Sequence, residues 1–271
     1  MGLVWRGEFE QLAPLSNHAA LLERATVRSV EDIREAARTI SDFAAAHSLR
    51  AAMCDNIASK DPMVDAEGTV LASSVFGWMS ESERWWEDHN LALHSPLPRA
   101  CRYENEPFWC NAQGFYTYTT NPYLKEIALD RFFASQSGCK ATIVVPVHLP
   151  FAQISASNFV PFDPTVDDLS EVFAAIGDTL GALTRRFIAG YVAVMRTKRR
   201  IPADCGLSKR EVECLRWAAI GKTDREIAMI IALSHATIRY HISRASEKLD
   251  SINRAQTIFK AGQLGYLGAS A

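Results

Sequence analysis

The hydrophobic positions change period several times along the chain. Between residues 29 and 47, Ile33, Ala36, Ala37, Ile40, Phe43 and Ala44 recur at steps of three and four, which lays one apolar stripe along a helix. Ser29 followed by Asp32 has the form of a capping box, so this helix is predicted to run to about His47. The pattern then shortens. β-type runs are expected near 51–57 and 69–77, an aromatic helical stretch near 80–92, a proline-punctuated segment over 95–110 and turns over 111–123. A helix is predicted from about 122 to 136. ATIVVPVH (141–148) and AQISASNFV (152–160) read as two antiparallel strands joined by a tight Leu-Pro-Phe connection. Strands flanked by helices predict a three-layer α/β/α sandwich on an antiparallel sheet.

After Asp163-Pro164 a long helix is expected, with Thr165 as N-cap and Asp168 at the third position. Leu169, Phe173, Ile176, Leu180, Leu183, Phe187 and Tyr191 form a narrow seam along it. Such a seam either covers the sheet or pairs with a second subunit. The charged run RTKRR (196–200) followed by IPADCG lacks apolar periodicity and marks a linker over 196–206, between an N-terminal domain (1–195) and a C-terminal domain (207–271).

Three short amphipathic helices follow, each with its own start signal. Ser208 with Glu211 opens one that runs to about Ala219 and ends at Gly221; Thr223 with Glu226 opens a second that buries Ile227, Ala228 and Ile231. Ser234 caps a third, whose apolar side is Ile238, Ile242, Ala245 and Leu249. The link Ala-Leu-Ser between the second and third is brief, and the third turns Arg239, Tyr240, His241, Ser243 and Arg244 away from its apolar side. That is the pattern of a helix-turn-helix, whose second helix enters the major groove. Arg239 can fork onto guanine O6 and N7, and Ser234, His235, Thr237 and Tyr240 can reach phosphates or base edges. Lys222, Arg225, Arg244 and Lys248 suit phosphate, which gives affinity without sequence information.

Charge sharpens this division. From Arg196 onward 14 Lys and Arg face 7 Asp and Glu, a balance of +7, whereas residues 1–195 carry −9. Only the basic tail is expected to meet a polyanion. With 271 residues, 48% of them hydrophobic, the chain holds about two domains' worth of core at roughly 150 residues each. No apolar run is long enough for a membrane span and no secretory leader is evident, so a cytoplasmic protein without membrane contact is expected. The six cysteines (54, 101, 110, 139, 205 and 214) have no metal-site spacing and read as reduced core thiols. His89, His94, Cys101, Cys110 and His148 follow no nucleophile-and-base motif, so no enzyme activity and no cofactor are expected.

The segment LSKREVECLRWAAIGKTDREIAMIIALSHATIRYHISRASEKLDSINRAQTIFKAGQLGYL (207–267) closely resembles the C-terminal helix-turn-helix domain of LuxR-type bacterial transcription regulators, with Glu211, Leu215 and Gly221 at signature positions alongside the GKT–EIA and KL–NR segments. The resemblance implies an all-α domain of four helices, the last spanning 254–267 with Ile258, Phe259, Leu264 and Leu267 as apolar candidates for dimerisation, and places Arg239 at a base-contacting position. Phosphorylated receivers, the other common front half, need alternating strand–helix units that are missing here.

Residues 75–160 resemble the autoinducer-binding domain of quorum-sensing members, which encloses an acyl-homoserine lactone. Its order of landmarks recurs: aromatic residues, an x-Pro, PFW, then VVPVH. By that resemblance Trp86, Ser95, Trp109 and Thr142 fall at ligand positions, with two changes of chemistry. Where the family has Asp-Pro this chain has Ser95-Pro96, and a hydroxyl accepts the ligand's amide N–H without charge, a bond weaker by about a factor of two. Trp86 replaces a tyrosine and offers only a donor. The implied protein is a homodimeric regulator binding double-stranded promoter DNA under control of a small signal molecule, either a lactone or a non-standard ligand, with RNA polymerase as a further candidate partner. The alternative is a ligand-independent regulator controlled by a protein partner.

Overall fold

In the computed structural model, residues 12–59, 61–78, 94–135, 138–195 and 206–268 are described. Helix α1 (Leu12–Arg24) precedes a short 3-10 turn and α2 (Ile33–Ala46). The start of α2 is closed as its sequence requires: the Asp32 carboxylate accepts the backbone N–H groups of Arg28 and Ser29. Ile33, Ala36, Ala37, Ile40 and Ala44 are buried, while Phe43 is only partly so.

Five strands follow: β1 (Leu49–Cys54), β2 (Phe108–Asn111), β3 (Gly114–Tyr116), β4 (Ala141–Leu149) and β5 (Gln153–Pro161). They form one sheet in the order β1-β5-β4-β2-β3, with β1 antiparallel to β5 and β2 antiparallel to both β3 and β4. The Pro150–Ala152 turn joins β4 to β5, as the Leu-Pro-Phe connection implied.

Because side chains alternate across a strand, the sheet presents two apolar faces. Ala51, Met53, Ile143, Val145, Val147 and Phe159 join the core against α2 and the long helix described below. Phe108, Cys110, Val144 and Ala156 form the opposite core with Leu97, Ala100, Cys101, Leu124 and Phe133. That side is built from short pieces: α4 (Pro96–Ala100), a 3-10 turn at Pro122–Leu124 and α5 (Asp130–Ser135) contribute the cover, while Leu71 of the short helix α3 (Leu71–Ser74) joins the first core.

Several expectations change. Residues 69–77 form no strand: Val70 makes a single bridge to Val64, and α3 follows at once. The Asp65 carboxylate gathers the N–H groups of Glu67 and Thr69 into a tight turn, so the apolar residues that follow bury themselves through a helical turn with no partner strand. The helix expected over 122–136 is broken into the 3-10 turn and α5, because Asn121 caps Tyr123 N–H and closes only one turn. The aromatic stretch near 80–92, and the linker except Gly206, lie outside the described residues.

The long helix α6 (Ser170–Met195) begins five residues after the expected N-cap. Thr165 is held in a turn by Asp163, whose carboxylate accepts both its N–H and its hydroxyl, and Asp168 accepts Ser170 N–H at the true start. All seven seam residues, from Leu169 to Tyr191, are at most 8% exposed within the chain. The seam therefore covers the sheet, and those side chains are not available to a second subunit. Gly190 is dictated by packing, since a Cβ there would stand 2.3 Å from the Val27 carbonyl oxygen.

The second compact unit is all helical: α7 (Lys209–Ala219), α8 (Asp224–Ile230), α9 (His235–Lys248) and α10 (Arg254–Gln263). Leu215, Ala245, Leu249 and Ala261 form one small core, and Cys214, Ile227, Ile238 and Ile242 another. Of the apolar candidates at the last helix, Ile258, Leu264 and Leu267 pack inside this unit and Phe259 points out, 63% exposed.

Candidate nucleic-acid interface

Each of the four helices of the second unit starts on a side-chain cap. Ser208 and Thr223 accept the N–H groups of Glu211 and Glu226, whose carboxylates in turn accept the N–H groups of the caps. Ser234 accepts Thr237 N–H at 3.0 Å and Asn253 accepts Gln256 N–H at 2.9 Å. These caps satisfy N–H groups that a helix start leaves without partners, and they fix where α8 and α9 begin.

Between α8 and α9 the chain turns at Ala232, whose φ of 53° lies in the left-handed region. Leu233 N–H then bonds back to Ala228 O at 3.0 Å. Ile227 and Ala228 of α8 meet Ile238 and Ile242 of α9 in one core, which fixes the angle of the pair and turns the other side of α9 outward.

On that outward side His235, Arg239, Tyr240, Ser243 and Arg244 are exposed. Among the described residues Arg239 has no ion-pair partner, so its five-donor fork is free for a base or a phosphate. Arg244 is held by Glu247 one turn on. Ser234 and Thr237 share a hydroxyl–hydroxyl bond of 2.8 Å as part of the cap, so both hydroxyls are engaged in setting the helix start.

Lys248 departs from its expected role. Its ammonium lies 2.8 Å from the buried Glu211 carboxylate and 3.1 Å from Gly206 O, so it ties α9 to α7 and does not stand free for phosphate. Burial alone would raise the Glu211 pKa; the bonds from Lys248 and Ser208 outweigh it and hold the carboxyl below the usual range. The sequence offered no signal for this pair, because the partners are 37 residues apart.

Lys222, Arg225 and His235, expected separately, come together around a shallow depression at the start of α8, and Arg254 lines it with them. Arg254 was not expected from sequence. Its guanidinium pairs with the Asp224 carboxylate and donates to Lys222 O at 2.7 Å. The cation at the first position of α10 was the only available hint.

The ligand candidates of the first unit divide between the two faces of the sheet. Trp109 pairs with Ile143 and Cys110 with Thr142 across β2 and β4, so neighbouring pairs point to opposite sides. Trp109 is buried in the core shared with α2 and α6 and stacks on Tyr116 at 3.9 Å. Thr142 is buried on the other face, where its hydroxyl donates to Phe159 O at 3.2 Å. Trp109 and Thr142 are thus not brought into one chamber. Ser95 stands at the start of α4, in the layer over the Thr142 face, and its hydroxyl makes no cap bond. Trp86 lies outside the described residues.

Asn158, missed in the sequence, lies on the Thr142 face of β5 opposite Ala52. Its Oδ1 is buried and has no hydrogen-bond partner among the described residues. Only the register of the sheet, which turns the apolar Phe159 one way and Asn158 the other, reveals it.

Of the residues considered for catalysis, His89 lies outside the described residues, and His148, Cys101 and Cys110 are held in inert states. His148 Nε2 donates to Cys101 O at 2.8 Å. Burial pushes the Cys54 thiol up to about 12 and the Cys139 thiol to about 11, and raises those of Cys101 and Cys110 further. Such thiols stay protonated and are poor nucleophiles. Among the described residues no helix is long and apolar enough to cross a membrane.

Comparison with known proteins bears on both units. The family model GerE, bacterial regulatory proteins of the luxR family, matches residues 206–261. The chain is 33% identical over 131 residues to the transcriptional activator protein VanR of Vibrio anguillarum, covering 48% of this chain and 53% of that protein, so the match spans about half the length of that relative. It is 43% identical over 193 residues to the HTH-type quorum sensing-dependent transcriptional regulator RpaR of Rhodopseudomonas palustris, covering 70% of this chain and 73% of that protein. In fold it is similar to the crystal structure of Escherichia coli SdiA, with a TM-score of 0.50 over 94% of this chain and 99% of that one at 18% identity.

Proposed function

The chain belongs to the luxR family of bacterial regulatory proteins, and from that premise we propose that it is a dimeric, DNA-binding transcription regulator whose first unit holds a small signal molecule. The observation that carries the DNA-binding part is the division of α9. Ile238, Ile242 and Ala245 are buried, while Arg239, Tyr240 and Ser243 stand on the opposite side with nothing over them among the described residues. A helix presented in this way fits a major groove. Lys222 and Arg225 supply charge for flanking phosphates, His235 adds a hydrogen-bonding ring beside them, and Arg239 reads a base.

The signal-binding part rests on the Thr142 face of the sheet. Asn158 Oδ1 is an unsatisfied acceptor there, and leaving such an atom unpaired costs about 1–3 kcal/mol. A ligand with an N–H or O–H donor would satisfy it, and the Ser95 hydroxyl, which makes no cap bond, adds a second neutral group. This pair suits an amide-bearing molecule recognised without a carboxylate, consistent with the relation to a quorum sensing-dependent regulator.

Selection of duplexes from a random pool by the full chain, with and without a panel of acyl-homoserine lactones, tests both parts. A recovered two-fold-related motif whose enrichment depends on one added molecule supports the reading. Recovery of no motif under any condition refutes the DNA-binding part, and a motif indifferent to every molecule refutes the signal-binding part for that class.

A further inference from the structure

Arg254 sits at the first position of α10, yet its guanidinium serves a different helix. One terminal nitrogen pairs with the Asp224 carboxylate at the start of α8, and the other donates to Lys222 O at 2.7 Å. These two residues flank Thr223, the cap of α8, which is held from within by Glu226: the Glu226 carboxylate accepts both Thr223 N–H and the Thr223 hydroxyl at 2.8 Å. The turn is therefore gripped twice, by its own capping box and by a fork from residues 30 positions away.

We propose that Arg254 is a positioning residue for phosphate contact, fixing the turn that presents Lys222 and Arg225. The inference rests on the DNA-binding reading above and adds to it a residue with no base to read. Lys222 is itself held through its carbonyl and Arg225 directly follows the gripped Asp224; with Thr223 all four line the same depression as His235. The planar fork matters because it engages a carboxylate and a carbonyl together, which a lysine ammonium on a flexible stem does not hold in one geometry. Arg254 also neutralises Asp224, the one carboxylate of that depression, which would otherwise repel an approaching phosphate.

The test uses the full chain with a selected and a scrambled duplex over a range of salt, alongside thermal melting. Arg254→Lys keeps the charge and loses the fork. It is expected to bind both duplexes about three- to tenfold more weakly, with their ratio unchanged and the slope of log affinity against log salt lowered by about 1. Wild-type affinity on both duplexes would overturn the proposal, and so would a loss confined to the selected one. Asp224→Asn provides a second arm if Arg254→Lys does not fold. Removing a negative charge beside DNA should tighten binding if charge alone matters, whereas loss of the grip predicts no gain; tightening would overturn the proposal. A wild-type chain that binds neither duplex refutes the DNA-binding reading itself, and equal binding by wild type and variant refutes only the role of Arg254.

Discussion

The two units differ in how their polar groups are closed: the helical unit closes every helix start locally and adds a few long-range ties such as Lys248–Glu211 and Arg254–Asp224, whereas the sheet unit closes several of its polar groups only across long stretches of sequence. In the helical unit the caps Ser208, Thr223, Ser234 and Asn253 each bond a group three residues away. In the sheet unit the corresponding bonds cross long stretches: Asn111 donates to Asp167 O, Ser155 to Cys54 O, and Val64 N–H to the Tyr191 hydroxyl. Local closure leaves one side of a short helix free of internal duties, which is what a reading surface needs. Distant closure encloses polar atoms between layers and leaves some of them, Asn158 Oδ1 among them, without a partner among the described residues. The first arrangement suits a polyanion and the second a small enclosed molecule, as proposed.

Core truncation should separate the units most strongly. Ile238→Ala in the helical unit and Leu180→Ala in the sheet unit both remove fully buried side chains, and each is expected to cost about 2–5 kcal/mol in denaturant unfolding. Only Ile238→Ala should abolish DNA binding at temperatures where the chain remains folded. Equal loss of binding from both would break the division of labour.

Next in size is the buried pair that joins α7 to α9. Glu211→Gln removes a charge-assisted bond from Lys248, and a loss of about 1.5–3 kcal/mol is expected. The pH dependence has a definite sign. Because the folded-state pKa of Glu211 lies below its unfolded value, its contribution is complete above the ordinary carboxylate range, near 4.3, and declines as pH falls through the lower folded value. Urea titrations from pH 6 down to pH 3 should show the wild type losing the Glu211 contribution and the variant lacking that part of the slope. Parallel curves would remove Glu211 as the cause.

A smaller effect tests the other unit. Asn158→Val replaces a half-buried amide, whose Oδ1 has no partner among the described residues, by an apolar group on a strand, and should raise the melting temperature of the ligand-free chain by an amount corresponding to about 1 kcal/mol. It should also erase any melting shift given by a molecule that stabilises the wild type. A preserved shift would place ligand recognition elsewhere. The least change is expected at the turn between α8 and α9. Ala232→Gly relieves a left-handed residue at φ 53° and adds backbone entropy to the unfolded chain, for a net gain of about 0.5 kcal/mol in melting experiments. A clear loss would show that the alanine methyl group makes a contact worth more than the strain.

What could be read from the sequence follows the same contrast. Ser208 with Glu211 and Thr223 with Glu226 were legible because their partners are three residues apart and the hydrophobic side of each helix fixes its direction. Lys248 was misjudged because its partner, Glu211, is brought to it only when α7 and α9 pack together. The strand pair 141–160 was legible from its alternation. The opposite orientations of Trp109 and Thr142 depend on the register of β2 against β4, which no local pattern specifies, and Asn158 joins the Thr142 face through the pairing of β5 in the same sheet. The beginning of α6 was placed too early because Asp163-Pro164-Thr165 makes its own turn before the helix begins.

The measurement that tests the central claim most directly is the affinity of the full chain for its selected duplex and for a scrambled one, in wild type, Arg239→Ala and Lys222→Ala. If the outward side of α9 reads sequence, Arg239→Ala loses about 1–3 kcal/mol on the selected duplex and little on the scrambled one, so discrimination falls, while Lys222→Ala weakens both alike. Equal losses on both duplexes for Arg239→Ala would contradict the account, because they would make this helix a source of charge and not a reader.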